Sequence, residues 1–382
     1  MSAGVLASTF VLWRSGELWP ADWTVRYQQR TGAIWSAGIA PDERAFKFAQ
    51  YEARNPRIIA MGSSRVLQIR EAMFSETFQN MGRGLPQSGT AESYRALTRD
   101  HAPDLVLWGI DHYLFSQRKN EGINNQRAKY SQVGPRPLDG GAGLRIVPNT
   151  LVTLWSNIYS GKVELNAVIQ TAIRGSARPG PRVGLRATTT NLGGYAPDGS
   201  YLSLREIEFP LETATQTEEN VTRRLADRRA YQLSHDEIFD ERMLAEIERT
   251  VDAILESGAD LVIFLPPMHG DIATMLETGP EYAGFIQSVR RALVSLASEK
   301  GILFGDFLNP ATIGSDNGEF YDPIHPTPKG MARLLLKIRA EAAFPNRQWI
   351  DSEFLENYID HRGDAADEYE DHISFFVTSS GN

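Results

Sequence analysis

The 382-residue chain contains no cysteine, which excludes disulfides, thiolate metal sites and a cysteine nucleophile. That absence leaves the redox compartment open, because a chain of this size buries a core large enough to stand without covalent staples. Clustered lysine and arginine are missing too, and the formal net charge is −9. A phosphate-binding surface needs such clusters, so nucleic acid is not an expected partner. No G-x-G-x-x-G opens a helix after a strand, and neither G-x-x-x-x-G-K-[ST] nor H-E-x-x-H occurs. Nucleotide and zinc-protease chemistry therefore lack their motifs, and no metal or cofactor is implied.

Long apolar runs are also absent. The nearly apolar stretch Gly4 to Trp13, closed by Arg14, is about half of the ~20 residues that span a bilayer. A secretory leader would carry a positive region ahead of it, and no basic residue precedes it. Two readings of residues 1–40 stay open. One is a buried first segment; the other is a membrane attachment whose beginning lies outside this sequence, with Trp13, Trp19 and Trp23 at the interface.

What the chain does have is an ordinary globular balance, 42% apolar and 23% charged residues. Short continuous apolar runs mark strands buried on both faces, as in a parallel sheet. They are Arg57 to Met61, Thr77 to Met81, Asp104 to Ile110, Leu261 to Leu265 and Ile302 to Phe304. Between and around them, helical spacing is read over 41–54, 90–101, 240–257, 285–296 and 329–343, and Val66 to Phe74 is compatible with a helix. Alternating helices and strands predict an α/β fold, a three-layer sandwich around a doubly wound, mostly parallel five-stranded sheet.

The region from about 115 to 235 breaks this rhythm. Too long for a bare loop, it reads as a large insertion with short helices at 151–158 and 163–173 and a hairpin-like piece at 195–204. It leaves the sheet at the C-terminal end of the third strand, where such sheets bind ligands, so a substrate-shaping role is expected of it. The main domain spans 41–350, and the acidic tail 351–382 is expected to be a solvated appendage.

Two motifs carry chemistry. Ser64 follows the first strand in the turn Gly62-Ser63-Ser64-Arg65, where a hydroxyl stands at the mouth of the sheet beside a helix start. Capping explains many serines in such turns, so the position alone decides nothing. Near the other end, Asp322-Pro323-Ile324-His325 places a carboxylate three residues before a histidine in a proline-stiffened turn. An aspartate at that spacing can hold one ring nitrogen and leave the other to take a proton from serine.

These elements resemble the SGNH/GDSL hydrolase superfamily. The resemblance covers roughly 57–112 and 259–343 and implies the flavodoxin-like SGNH sandwich. Position by position, it places the nucleophile on Ser64, with Ser63 in place of the usual acidic neighbour and as the local alternative. Base and orienter fall on His325 and Asp322. Asn80-Met81-Gly82-Arg83-Gly84 matches the turn whose glycine N–H points into the oxyanion hole, with Gly84 preferred over Gly82. Gly109-Ile110-Asp111 stands where the family has G-x-N. An ionised aspartate cannot donate as that asparagine does, so either Asp111 is protonated or the hole rests on the backbone N–H groups of Ser64 and Gly84. Arg65 either meets an anionic substrate or pairs with Asp111. His112 and His269, both at C-terminal strand edges, are weighed between substrate contact and structure.

The variant turns and the apolar lead resemble membrane-anchored SGNH-like proteins of bacterial envelope and exopolysaccharide systems, such as the teichoic-acid D-alanylation and alginate-acetylation proteins. That branch implies a serine esterase or O-acyltransferase acting on O-acyl groups, acetyl above all, of an acylated surface carbohydrate at the cell envelope. A cytoplasmic location is the alternative. Two further readings stand beside it. One is a catalytically silent scaffold that binds glycan or an assembly partner; the other is an intracellular lipase or thioesterase, which the polar, arginine-rich insertion disfavours. Nothing in the residues sets an oligomeric state.

Overall fold

The computed structural model describes residues 3–38, 43–85, 89–118, 120, 151–161, 163–178, 180–190, 193–203, 210–227, 237–341, 344 and 346–360. The chain divides into two compact units. One comprises Met1–Ala53, Gly134–Phe209 and Gly363–Asn382; the other comprises Arg54–Val133 and Pro210–Arg362.

The second unit is built on β1 (Ile58–Met61), β2 (Phe78–Asn80), β3 (Leu105–Gly109), β4 (Asp260–Leu265) and β5 (Leu303–Asp306). All four neighbouring pairs are parallel, in the order β2-β1-β3-β4-β5. This is a five-stranded parallel sheet flanked by helices, as a three-layer α/β/α fold requires. The apolar runs have the composition they do because the three central strands are covered on both faces. Ile58, Ala60, Leu105, Leu107, Val262 and Phe264 lie in one buried cluster with Met331, Leu334, Leu335 and Ile338 of the Pro328–Ala340 helix. The intervening strand residues point the other way by the pleat, and the Glu241–Glu256 helix packs against β4. Chain order reverses direction between β1 and β3, so their carboxyl ends border the crevice where sheets of this order bind ligands.

The structure departs from the sequence reading in three places. Val66 to Phe74 is not an α-helix but contains two short 3-10 turns, Ser64–Val66 and Glu71–Met73. The region expected to lack pattern contains a 17-residue helix, Pro210–Ala226, which belongs to the sheet unit. Its polar sequence hid it, with Thr217 and Val221 as buried positions four residues apart. The presumed tail begins with the Ser352–Asp360 helix, and Leu355 and Ile359 pack it into the core cluster. The acidic stretch Asp364 to Asp371 lies outside the described residues.

The other unit holds the Ala3–Arg14 and Ala21–Thr31 helices, most of Glu43–Arg54, a helical segment at 151–159 and the Leu165–Arg174 helix. Its small sheet runs Arg182–Val183, Ile34–Trp35, Gly194–Tyr195, Tyr201–Leu202, and the last two form the expected hairpin. Several polar groups buried there are satisfied locally. Gln28 donates to the carbonyls of Ala33 (2.7 Å) and Tyr195 (2.9 Å), and Lys47 bonds the Gly199 carbonyl while lying 4.5 Å above the Tyr195 ring. Among the described residues, no helix is long and apolar enough to cross a membrane.

Candidate active site

β1 leaves the sheet through Gly62, whose φ of 145° is left-handed territory that favours glycine. A Cβ there would stand 2.6 Å from the Gly109 carbonyl oxygen, so the exits of β1 and β3 cross too closely for any side chain. The chain then turns at once. Ser63 accepts a hydrogen bond from the Arg65 N–H (3.2 Å) and so caps the Ser64–Val66 turn, leaving Ser64 half-buried at its first position.

Asn80, at the end of β2, locks that turn in place. Its Nδ2 donates to the carbonyls of Val66 (2.7 Å) and Ile69 (2.9 Å), while its Oδ1 accepts from the Gly82 N–H (2.8 Å). Sequence reasoning placed Asn80 in the family turn without giving it a role; a buried amide ending an apolar strand was the available signal.

The histidine arrives from the far end of the unit. Asp322 Oδ1 accepts the backbone N–H groups of Ile324 (2.9 Å) and His325 (3.0 Å), which curls the turn so that its Oδ2 meets His325 Nδ1 at 2.6 Å. His325 Nε2 then lies 2.8 Å from Ser64 Oγ, inside the roughly 2.6 to 3.2 Å reach of a working proton acceptor. Burial pushes the Asp322 carboxyl's pKa up, but the hydrogen bond and charge of His325 and the two backbone donors outweigh it and hold the carboxyl below its ordinary value. Two supports went unread in the sequence. Thr217 donates to the Tyr321 carbonyl (2.8 Å), and the His269 N–H donates to the Pro323 carbonyl (3.1 Å).

Asp111 and Arg65 form a separate system, each about 1% exposed. Arg65 Nη1 donates to Asp111 Oδ1 at 2.9 Å, and Nη2 donates to the carbonyls of Pro266 (2.5 Å) and Pro267 (2.9 Å). Tyr113 donates its hydroxyl to Asp111 Oδ2 (2.7 Å). Burial raises the pKa of the Asp111 carboxyl, yet Arg65, Ser63, Tyr113 and His112 together bring it below the usual range. Of the roles left open for these residues, the structure therefore shows the ion pair. Arg65 is turned inward rather than toward an anionic substrate, and Asp111 is a carboxylate rather than a protonated donor.

Gly84 requires a further correction. Its N–H, expected to face the oxyanion, donates to the Met81 carbonyl at 2.8 Å, and that of Gly82 is taken by Asn80. Arg83 between them is left-handed (φ 63°) and donates its N–H to the Gly62 carbonyl (2.9 Å), tying this turn to the Ser64 turn. Of the backbone donors considered, the Ser64 N–H remains, since the first N–H of a helical turn has no acceptor within that turn.

His112 and His269 are both buried. The His269 ring lies 3.5 Å from Glu218 and 3.7 Å from Asp271, edge-on to Phe320. His112 sits in the 3-10 turn after β3, edge-on to Tyr113. No cluster of three metal-ligating side chains occurs among the described residues. No family model matches the chain, and no curated protein matches its sequence.

Proposed function

We propose that this chain is a serine hydrolase or O-acyltransferase of the SGNH kind, with Ser64 as nucleophile, His325 as general base and Asp322 as its orienter. One observation carries the reading: a serine hydroxyl 2.8 Å from an imidazole whose other nitrogen is 2.6 Å from a carboxylate, at the binding edge of a parallel sheet. In the first half-reaction Ser64 Oγ bonds to the carbonyl carbon of an ester while its proton passes to His325 Nε2. The tetrahedral oxyanion is met by the Ser64 N–H. Collapse breaks the bond to the alcohol, which leaves with the proton from His325, and the acyl group stays on Ser64. Water then attacks, gives a proton to His325 and releases the acid and free serine. A sugar hydroxyl in place of water yields a transferred ester by the same steps. An O-acyl, chiefly O-acetyl, surface carbohydrate at the cell envelope is the proposed substrate, by the sequence resemblance.

The test is hydrolysis of a short-chain aryl ester together with labelling by a serine-directed phosphonate. Both are expected in the parent protein and to fall by about 10⁴-fold or more in Ser64→Ala. Unchanged turnover in that variant would overturn the assignment.

A second reading, a silent scaffold that binds glycan or an assembly partner, is favoured by the donor pattern. The N–H groups of Gly82 and Gly84 are spent within their own turn, and Asp111 is an acceptor. Its signature is glycan binding that survives Ser64→Ala in a protein whose parent form shows no ester turnover.

A further inference from the structure

Large apolar side chains that stand exposed are unevenly distributed. Among the described residues, all of the prominent ones except Ile238 and Val294 lie in the unit that holds the small sheet, on helices that adjoin one another. The Ala3–Arg14 helix packs on the Leu165–Arg174 helix. The 151–159 segment joins them, with Trp155 Nε1 donating to Ser8 Oγ at 3.1 Å. Their inner sides share a core of Val11, Leu12, Leu154 and Val168.

The outer sides should be polar on a surface helix, and they are not. The first helix exposes Leu6 (57%), Phe10 (55%) and Trp13. The segment 151–159 exposes Val152 (70%), Trp155 and Tyr159. The third exposes Leu165, Ile169 and Ile173 (71%). Trp23 extends the face from the next helix, edge-on to Trp13 at 6.0 Å.

The first three helices carry charge of one sign, and on the Trp23 helix Asp22 is paired with Arg26. The three helical sequences, AGVLASTFVLWR, LVTLWSNIY and LNAVIQTAIR, contain no aspartate or glutamate, and their two arginines close the first and third helices. Those two ends meet. The guanidinium carbon of Arg14 lies 3.8 Å from where a Cβ on Gly175 would stand, next to Arg174. The nearest acid in sequence, Glu164, precedes the third helix at the end opposite Arg174.

We propose that this face lies in the interface of an anionic lipid bilayer. Among the described residues no helix is long and apolar enough to cross one, but side by side these helices present a broad apolar surface with a basic border. Helices that bind parallel to a membrane do so with this pattern. Trp13, Trp23 and Trp155 supply the amphipathic rings that favour headgroup depth, and Arg14 and Arg174 supply the attraction to acidic headgroups. A second copy fits less well. Two-fold pairing of the patch on itself would juxtapose the like-charged Arg14 and Arg174 borders of helices whose own sequences carry no carboxylate.

The experiment is vesicle co-sedimentation of the full chain, using phosphatidylcholine alone and phosphatidylcholine with about 30% phosphatidylglycerol. Binding is expected to be about tenfold tighter to the anionic vesicles and to weaken as salt rises. Arg14→Gln/Arg174→Gln should remove that preference, and Phe10→Ser/Trp155→Ser/Ile173→Ser should cut binding to both vesicles by about tenfold or more. Tryptophan fluorescence of the parent protein should be quenched by vesicles of brominated phosphatidylcholine and phosphatidylglycerol, a readout that needs no variant. Absence of both partition and quenching would overturn the proposal, as would unchanged binding by a folded triple variant. So would a solution dimer that the triple variant dissolves without loss of vesicle binding. None of these readouts depends on ester turnover.

Discussion

Two aspartates stand near the C-terminal edge of the same sheet unit, and they have opposite characters. Burial penalises both carboxylates, and in both the partners overcome it. Asp322 is held by a half-buried histidine whose second nitrogen touches Ser64. Asp111 is held by an arginine sealed from solvent and bonded onward to two proline carbonyls. An imidazole gains and loses protons near neutral pH, whereas a guanidinium does not. The first pair is therefore of a kind that can exchange a proton with the Ser64 hydroxyl. The second can only fix geometry, tying the exit of β1 to those of β3 and β4. Asp322 thus faces the Ser64 hydroxyl through His325, whereas Asp111 serves the fold through Arg65.

The sharpest way to break this comparison is to neutralise each aspartate in turn. Asp322→Asn preserves an oxygen for the Ile324 and His325 N–H groups but presents the wrong partner to Nδ1. Ester turnover is expected to fall by about 10² to 10⁴-fold, chiefly in kcat, with the thermal unfolding midpoint little changed. A loss below about tenfold would remove Asp322 from the orienting role.

Asp111→Asn should do the reverse in kind, damaging stability first. It leaves the Arg65 charge buried without its counter-ion, a change that costs about 3 to 5 kcal/mol, readable as a lower urea midpoint. Arg65→Met is expected to cost a similar amount by stranding the carboxylate. The pH dependence follows from the lowered carboxyl pKa of Asp111. Its stabilisation is present above the unfolded value near 3.9 and is lost as pH falls through the lower folded value. The parent protein should therefore show a steep loss of stability below about pH 4 that is shallower in Asp111→Asn. Equal slopes would mean that the pair is not ionised in the folded protein.

How much of this was legible depended on how local the cause was. The strands lay within a residue or two of their apolar runs, and for the three central ones burial on both faces leaves no other pattern available. Asp322 and His325 were legible as a pair because three residues and a proline suffice to bring them together. The stretch after Ser64 misled because Val66, Leu67, Ile69 and Met73 have helical spacing, yet a residue outside the stretch decides its backbone. The Val66 and Ile69 carbonyls, which a continuing helix would offer to Arg70 and Met73, go to the Asn80 side chain. The same amide consumes the Gly82 N–H, so the donor pattern beside Ser64 follows from an interaction between two strand exits. The division of the chain was illegible for a related reason: Ile34–Trp35 pairs with Arg182–Val183, and no local periodicity announces a partner so distant.

Asn80 therefore offers the finest test, with the smallest expected effect. Asn80→Ala removes three hydrogen bonds at a buried site and should cost about 1 to 3 kcal/mol. Asn80→Asp is nearly isosteric and keeps an acceptor for Gly82, but it turns an oxygen toward the carbonyls of Val66 and Ile69. If Asn80 holds the nucleophile turn through its amide donor, the two variants should be comparably destabilised, and both should lower kcat for an aryl ester more than they raise KM. If its main service is to occupy the Gly82 N–H, the two should separate. Asn80→Ala would free a backbone donor beside Ser64, and its turnover would match or exceed that of the parent while Asn80→Asp loses activity.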